Sequence, residues 1–149
     1  MAASSDKEMD FYIAINEAVC NAAKYSIHGH KNAEISICIK LDNYSMTAII
    51  SSETVYFDVN AFLWRMKDLA KSKRREMDWG DYTHDSIGGR GVFYMLQACD
   101  CVTLSPDGNT VMLHSSLPVD DNQKKRRKIW QLVSRLQVSN ICKLGAIIT

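Results

Sequence analysis

Apolar side chains recur at helical spacing between about Asp6 and Ile27, at Ile13, Ala14, Ala18, Ala22 and Tyr25, with no Pro or Gly among them. That spacing predicts a long helix, capped by Ser4, Ser5 or Asp6 and stopped by Gly29. The pattern then changes period. Ile35, Ile37, Ile39 and Leu41 alternate with Ser36, Cys38 and Lys40, which predicts a half-buried strand. Asp42-Asn43-Tyr44 turns the chain, and Met46 to Ser51 returns as the second strand of a hairpin. Phe62, Met66 and Leu69 put a second helix over about Val59 to Ala70. Lys71 to Ser86 is polar and weakly patterned, so it reads as a long loop or partly ordered lid. Gly88-Gly89-Arg90-Gly91 opens an apolar helix running to about Cys99. Val102–Leu104 and Val111–Leu113 flank the turn Pro106-Asp107-Gly108-Asn109, giving two more strands. Helices and hairpins in this order predict an α+β domain.

Composition narrows the class without naming a function. The 149 residues are 46% hydrophobic and 23% charged, with 7 Gly and 2 Pro, as in an ordinary globular domain. The longest apolar run, Val92 to Leu96, falls far short of the roughly 18–20 residues of a membrane span. No basic start followed by an apolar stretch marks a secretory signal, so the expected compartment is the cytoplasm. Cys20, Cys38, Cys99, Cys101 and Cys142 lack metal-ligand spacing and are read as reduced, mostly buried thiols. Trp64 is expected to pack in the core, and His28 and His30 to be exposed at a helix end.

Charge divides the chain unevenly. Residues 1–119 carry 11 Lys+Arg against 15 Asp+Glu, whereas residues 120–149 carry 7 against 2. The break at Leu117-Pro118-Val119-Asp120-Asp121-Asn122 suggests a domain over 1–119 and a basic tail over 120–149. Ile129, Leu132, Val133 and Leu136 give the tail a short amphipathic helix. Such a tail either lies on the acidic body as a solvated segment or touches nucleic acid, acidic lipid or an acidic partner.

Two motifs can carry chemistry. Glu17 and Asn21 stand four residues apart, one turn apart on one helical face. A carboxylate beside an amide oxygen can hold hydrated Mg²⁺ and orient a hydroxyl nucleophile, although the same spacing also occurs on plain polar faces. Gly88-Gly89-Arg90-Gly91 before a helix lets backbone N–H groups approach an anion closely. It is not a Walker loop, since no Gly-Lys-Ser/Thr follows.

In this order the motifs resemble a known family. Ile13-Ala14-Ile15-Asn16-Glu17-Ala18-Val19-Cys20-Asn21-Ala22-Ala23-Lys24-Tyr25 is similar to the Asn-box helix of the GHKL ATPases, and most similar to that of bacterial anti-sigma-factor serine/threonine kinases. Ile87-Gly88-Gly89-Arg90-Gly91-Val92-Phe93-Tyr94-Met95-Leu96, followed by Asp100-Cys101-Val102, resembles their second glycine box. The resemblance spans about Phe11 to Leu117. It implies a two-layer α/β sandwich of the GHKL (Bergerat) type, a mixed, mainly antiparallel sheet with helices on one face, and ATP between helices and lid. Carried over, Asn21 ligands Mg²⁺, Glu17 is general base for a protein serine hydroxyl, and Gly88, Gly89, Arg90 and Gly91 meet the phosphates. The implied partners are a sigma factor and an anti-anti-sigma (STAS-type) antagonist, in a cytoplasmic homodimer that regulates transcription by partner switching.

The family's first glycine box, Asp-x-Gly-x-Gly-Phe-Asp, is altered. Here it reads Ser52-Glu53-Thr54-Val55-Tyr56-Phe57-Asp58, so Ser52 replaces the carboxylate that accepts from adenine. A charged hydrogen bond is worth about 1.5–3 kcal/mol, and its loss weakens nucleotide binding on the order of 10- to 100-fold. Only about ten residues precede the Asn-box helix, where the family carries a further strand and helix. A sheet edge is therefore expected to be open or completed by another chain. Two readings follow: an ATP- and Mg²⁺-dependent protein kinase, or a GHKL-type interaction module with weak or no nucleotide binding.

Overall fold

A computed structural model describes residues 2–83, 90–116, 127–141 and 147–148, with side chains from Glu8 to Ile141. The helix α1 (Ala2–Lys24) begins earlier than its periodicity suggests, so Ser4, Ser5 and Asp6 lie inside it and cannot cap it. It also stops before Gly29. Tyr25–Ile27 leaves the helix to pair with Glu53–Val55, through Ile27 N–H to Glu53 O at 3.0 Å and Val55 N–H to Tyr25 O at 2.8 Å. Gly29 instead takes a φ of +82 ahead of a short 3-10 turn, His30–Asn32.

The strands β1 (Ile35–Leu41) and β2 (Ser45–Ser52) form the expected hairpin. Then come α2 (Val59–Lys71), α3 (Trp79–Tyr82), α4 (Arg90–Ala98), β3 (Cys101–Leu104) and β4 (Thr110–Ser116). After them follow α5 (Ile129–Val133), β5 (Leu136–Val138) and a small pair, β6 (Asn140–Ile141) with β7 (Ile147–Ile148). The main sheet has five strands in the order β1-β2-β4-β3-β5. It is mixed, because β5 joins β3 in parallel while the other pairs are antiparallel. The fold is therefore α+β.

Register explains why most of the core lies on one side of this sheet, with Ile49, Met112 and Thr103 buried on the other. Cross-strand partners share a face. Met46, Ala48 and Ile50 line up with Leu113 and Val111, and these with Val102 and Leu104. Against that row pack Phe11, Ala14, Ile15 and Ala18 of α1, Met66 of α2 and Phe93 and Leu96 of α4. The opposite face is tied by cross-strand polar pairs: Thr47 with His114 at 3.0 Å, Ser51 with Thr110 at 3.1 Å and Gln137 with Thr103 at 2.8 Å.

Three expectations are corrected by tertiary packing. Within the segment read as a tail, residues 127–138 are built into the body: Ile129 and Leu132 are fully buried, Val133 and Leu136 nearly so, and β5 extends the sheet. The amphipathic helix is present as α5, and its apolar face completes the core instead of lying free. The stretch from Lys71 is partly structured as well, since α3 buries Trp79, and Ile129 N–H and Trp130 N–H donate to Met77 O and Arg75 O. Its last residues, 84–86, lie outside the described residues. Finally, β1 is not half-buried, because Ile37, Ile39 and Leu41 remain exposed beyond the edge of the helical layer. Trp64 is 67% exposed on α2, while Cys20 and Cys38 are exposed and Cys99 buried. Among the described residues no helix is long and apolar enough to cross a membrane.

Candidate functional site

The site begins where α1 crosses the start of α4. Small buried residues on α1, Ala14 and Ala18, allow the two helices to approach closely. Glu17 and Asn21 project from the flank of that seam. A Cβ on Gly91 would stand 2.9 Å from Glu17 Oε2 and 3.6 Å from Asn21 Nδ2. A side chain here would push the Glu17 carboxylate aside, whereas the positive φ angles belong to Gly29 and Gly108. A carboxylate beside the first turn of a helix meets the positive end of its dipole. Carboxylate and amide oxygens are also hard donors that suit Mg²⁺. Gly91 is the part of the cradle that a larger side chain would fill, so the residues present fit a cation bridging to an anion at this helix start.

α4 is held from its other end by a residue that sequence reasoning missed. Arg135 Nη1 donates to Leu96 O at 2.8 Å and Cys99 O at 3.0 Å, just where the helix leaves carbonyls without intrahelical partners. Burial lowers the Arg135 pKa, with Arg127 adding in the same direction, yet a guanidinium stays charged. Burial pushes the neighbouring Cys99 thiol up to about 12, which keeps it neutral and unreactive. The basic run in the C-terminal segment offered no local signal for this role.

Beyond α4, away from α1, lies a cleft of about 660 Å³. Its apolar walls are Phe62, Met66 and Leu69 of α2 with Val92 and Phe93 of α4, and Arg65, Lys73 and Arg74 bring positive charge to it against the single carboxylate of Asp68. Arg74 also lies over the Tyr82 ring at 5.7 Å. Arg90 Nε donates to Thr83 O at 3.2 Å, linking the start of α4 to the end of α3 at the cleft wall. The α4 start is therefore flanked by Glu17 and Asn21 on one side and by a basic, apolar-walled cleft on the other. Gly88 and Gly89 lie outside the described residues.

Ser52 is placed differently. It ends β2, and the following residues pair with the chain just past Asn21, so it sits at the same end of α1 as Asn21. Its Oγ is buried and has no hydrogen-bond partner among the described residues. The rest of the altered box is absorbed into structure. Thr54 donates through N–H and Oγ1 to Asn109 Oδ1 at 3.2 and 2.9 Å. Phe57 packs on Phe62 and beside Gly108, and Asp58 caps α2 by accepting from Ala61 N–H at 2.9 Å. Tyr56 is 89% exposed and fills nothing. Elsewhere, His28 Nε2 lies 3.4 Å from Glu53 on the surface. No family model, curated protein or solved structure matches this chain.

Proposed function

We propose that this chain is an ATP- and Mg²⁺-binding serine/threonine protein kinase of the anti-sigma-factor type, acting in the cytoplasm on an antagonist protein. The observation that carries the reading is the seating of the Glu17 carboxylate and the Asn21 amide against Gly91 at the start of α4. Bound Mg²⁺ would neutralise phosphate charge there. Asn21 would hold the metal through its amide oxygen, and Glu17 would accept the proton of the attacking serine hydroxyl. Lys73 and Arg74 supply positive charge at the neighbouring cleft, whose apolar walls suit a nucleobase. The buried Ser52 hydroxyl lines no part of that cleft, so it is not the group that would read a nucleobase seated there.

Titration calorimetry with ATP, with and without Mg²⁺, tests the binding half of this reading. Mg²⁺-dependent heat that Asn21→Ala abolishes is the expected result. Glu17→Gln is expected to keep binding and to lose phosphate transfer to an antagonist serine. No heat at millimolar ATP would end the kinase reading.

The second reading is a GHKL-type interaction module without nucleotide chemistry. It is favoured by the first glycine box, where Thr54, Phe57 and Asp58 serve packing and capping. Unchanged partner binding in Asn21→Ala, together with silent calorimetry, is its signature.

A further inference from the structure

The outer side of α2 and the start of α5 form one strongly basic surface. Trp130 N–H donates to Arg75 O at 3.2 Å and Ile129 N–H to Met77 O at 3.0 Å, which laces the turn after α2 to residues far along the chain. The Arg75 guanidinium lies 5.6 Å from the centre of the Trp130 ring, and Lys128 Nζ stands 2.8 Å from Glu76 Oε2. Residues 64–76 and 127–130 together hold eight Lys+Arg and two Asp+Glu, a net of +6 in a chain of net +1. The remaining residues therefore carry −5. Six of the eight cations belong to α2 and the turn after it, so this surface is not the basic C-terminal segment under another description.

Helix geometry orders the side chains along this surface. Met66 is buried and Phe62 and Leu69 line the cleft, which leaves Trp64, Lys67 and Lys71 in solvent. Residues three and four apart are neighbours on a helix, so these three follow one another in a stripe. Exposed Arg75 and Trp130 continue it past the helix end. Trp64 is 67% exposed and Trp130 37%. The stripe thus reads ring, cation, cation, cation, ring. The acids nearby are engaged elsewhere: Asp68 faces the cleft, Glu76 pairs with Lys128, and Asp78 accepts from Gly80 N–H at 2.7 Å. Two lysines four residues apart repel, and a solvated indole buries little, so the fold gains nothing from this pattern itself.

We infer that this stripe binds single-stranded nucleic acid, its phosphates on Lys67, Lys71 and Arg75 and its unpaired bases stacked on Trp64 and Trp130. Cations that follow a backbone, with aromatic rings set among them, are what a single strand needs, because every unpaired base offers a flat face. A duplex keeps its base faces inside the stack and gives the indoles no partner. An anionic membrane meets the charge but asks for a continuous apolar face with cations on its flanks. Here Lys67, Lys71 and Arg75 stand between the two rings in the same line, so no such face exists. With Lys73 beside them, these cations neutralise about four phosphates, and the contact is correspondingly sensitive to salt.

Fluorescence anisotropy of dye-labelled oligo(dT) and oligo(U) of about 15 nucleotides, titrated with the full chain, tests this directly, and the two arms tell DNA from RNA. Between about 20 and 200 mM NaCl the plot of log affinity against log salt should fall with a slope near about −3, from about −0.7 per phosphate. Lys67→Glu/Lys71→Glu should weaken binding at least about 10-fold at the low-salt end. Trp64→Ala should weaken single strands at least about 5-fold and leave a duplex of the same length unchanged, whereas Trp64→Phe keeps most of the affinity. All three positions are exposed, so thermal midpoints should hold within about 3 °C.

No binding at low salt overturns the inference, and so does binding that survives the charge reversal. Equal losses for single strand and duplex in Trp64→Ala reduce the surface to plain charge and overturn it too. Capture by vesicles rich in phosphatidylserine without oligonucleotide binding overturns it and gives the face to a membrane. Glu17, Asn21 and Gly91 take no part in the stripe, so Lys67→Glu/Lys71→Glu should leave the heat of Mg²⁺-ATP as in the parent chain. Loss of both ligands together would place the oligonucleotide in the cleft and overturn the inference, whereas failure of the kinase reading alone leaves it standing.

Discussion

At the start of α4 a glycine is held against a carboxylate and an amide. At the end of β2 the chain from Glu53 to Asp58 surrounds itself with its own side chains and hydrogen bonds. Both places belong to one end of α1, and the resemblance assigns nucleotide contacts to both. They differ in what their polar groups do. Thr54 and Asp58 are occupied by Asn109 and by the first turn of α2. Glu17 makes no hydrogen bond or ion pair among the described residues and faces the positive end of α4. A fold gains little from such a placement on a surface, whereas an anion–metal site needs it. Under the proposed function the contrast would put the chemistry on the α1–α4 side and leave the β2 side a scaffold with one spare hydroxyl.

The contrast can be broken from its functional side first. Gly91→Ala puts a methyl group 2.9 Å from Glu17 Oε2 and displaces the carboxylate. Affinity for Mg²⁺-ATP should fall on the order of 10- to 100-fold, about 1.4–2.7 kcal/mol, by calorimetry. The helix itself should gain up to about 1 kcal/mol in urea unfolding, because Ala is the better helix residue. Binding and stability moving in opposite directions is the outcome a purely structural glycine would not give.

The scaffold side predicts the reverse. Gly108 has a φ of +77, and a Cβ there would stand 3.1 Å from Phe57. Gly108→Ala should therefore cost about 1–2 kcal/mol in urea unfolding, with any loss of nucleotide affinity smaller than that from Gly91→Ala. Asp58→Ala removes the α2 cap and should cost about 1 kcal/mol in the same measurement.

Acid sharpens the comparison next. Asp107 accepts from Ser105 Oγ at 2.6 Å and from Asn109 N–H at 2.9 Å, and these bonds, the Ser105 one foremost, lower its pKa below the ordinary 3.8. A lowered folded pKa contributes stability above the unfolded value and loses it as pH falls through the folded one. Acid unfolding below pH 3.8 should thus be shallower in Asp107→Asn than in the parent chain. The smallest effect belongs to Ser52→Ala. Its Oγ has no partner, so stability should change by less than about 0.5 kcal/mol, and a fall in ATP affinity would give the hydroxyl a nucleotide role.

What could be read in the sequence follows from how local its cause is. β1 was legible to the residue because alternation is a property of consecutive positions. Its exposure was not, since that depends on how far the helical layer reaches across the sheet. The end of α1 was misplaced because the stop comes from pairing with Glu53–Val55, some thirty residues on, and not from Gly29. β5 is three residues long and pairs in parallel with a distant strand, which leaves no periodic signature. Within the site, Glu17, Asn21 and Gly91 were legible through motif spacing, and the structure brings these three together. Arg135 was not, because capping a helix nearly forty residues earlier is visible only once the chain has folded.

The parallel seating of β5 beside β3 also bears on the order of folding. Ile129, Leu132 and Leu136 fill the core beneath helices built from residues well before them. During synthesis α2 and α4 emerge while the surface these side chains will cover is still bare. The nascent chain can form its β1–β2 and β3–β4 hairpins locally, but it cannot close its interior until residues near Val138 have left the ribosome. Cooperative folding therefore waits until β5 has emerged, and a translational pause after Ser116 would hold the chain in a sticky, chaperone-dependent state.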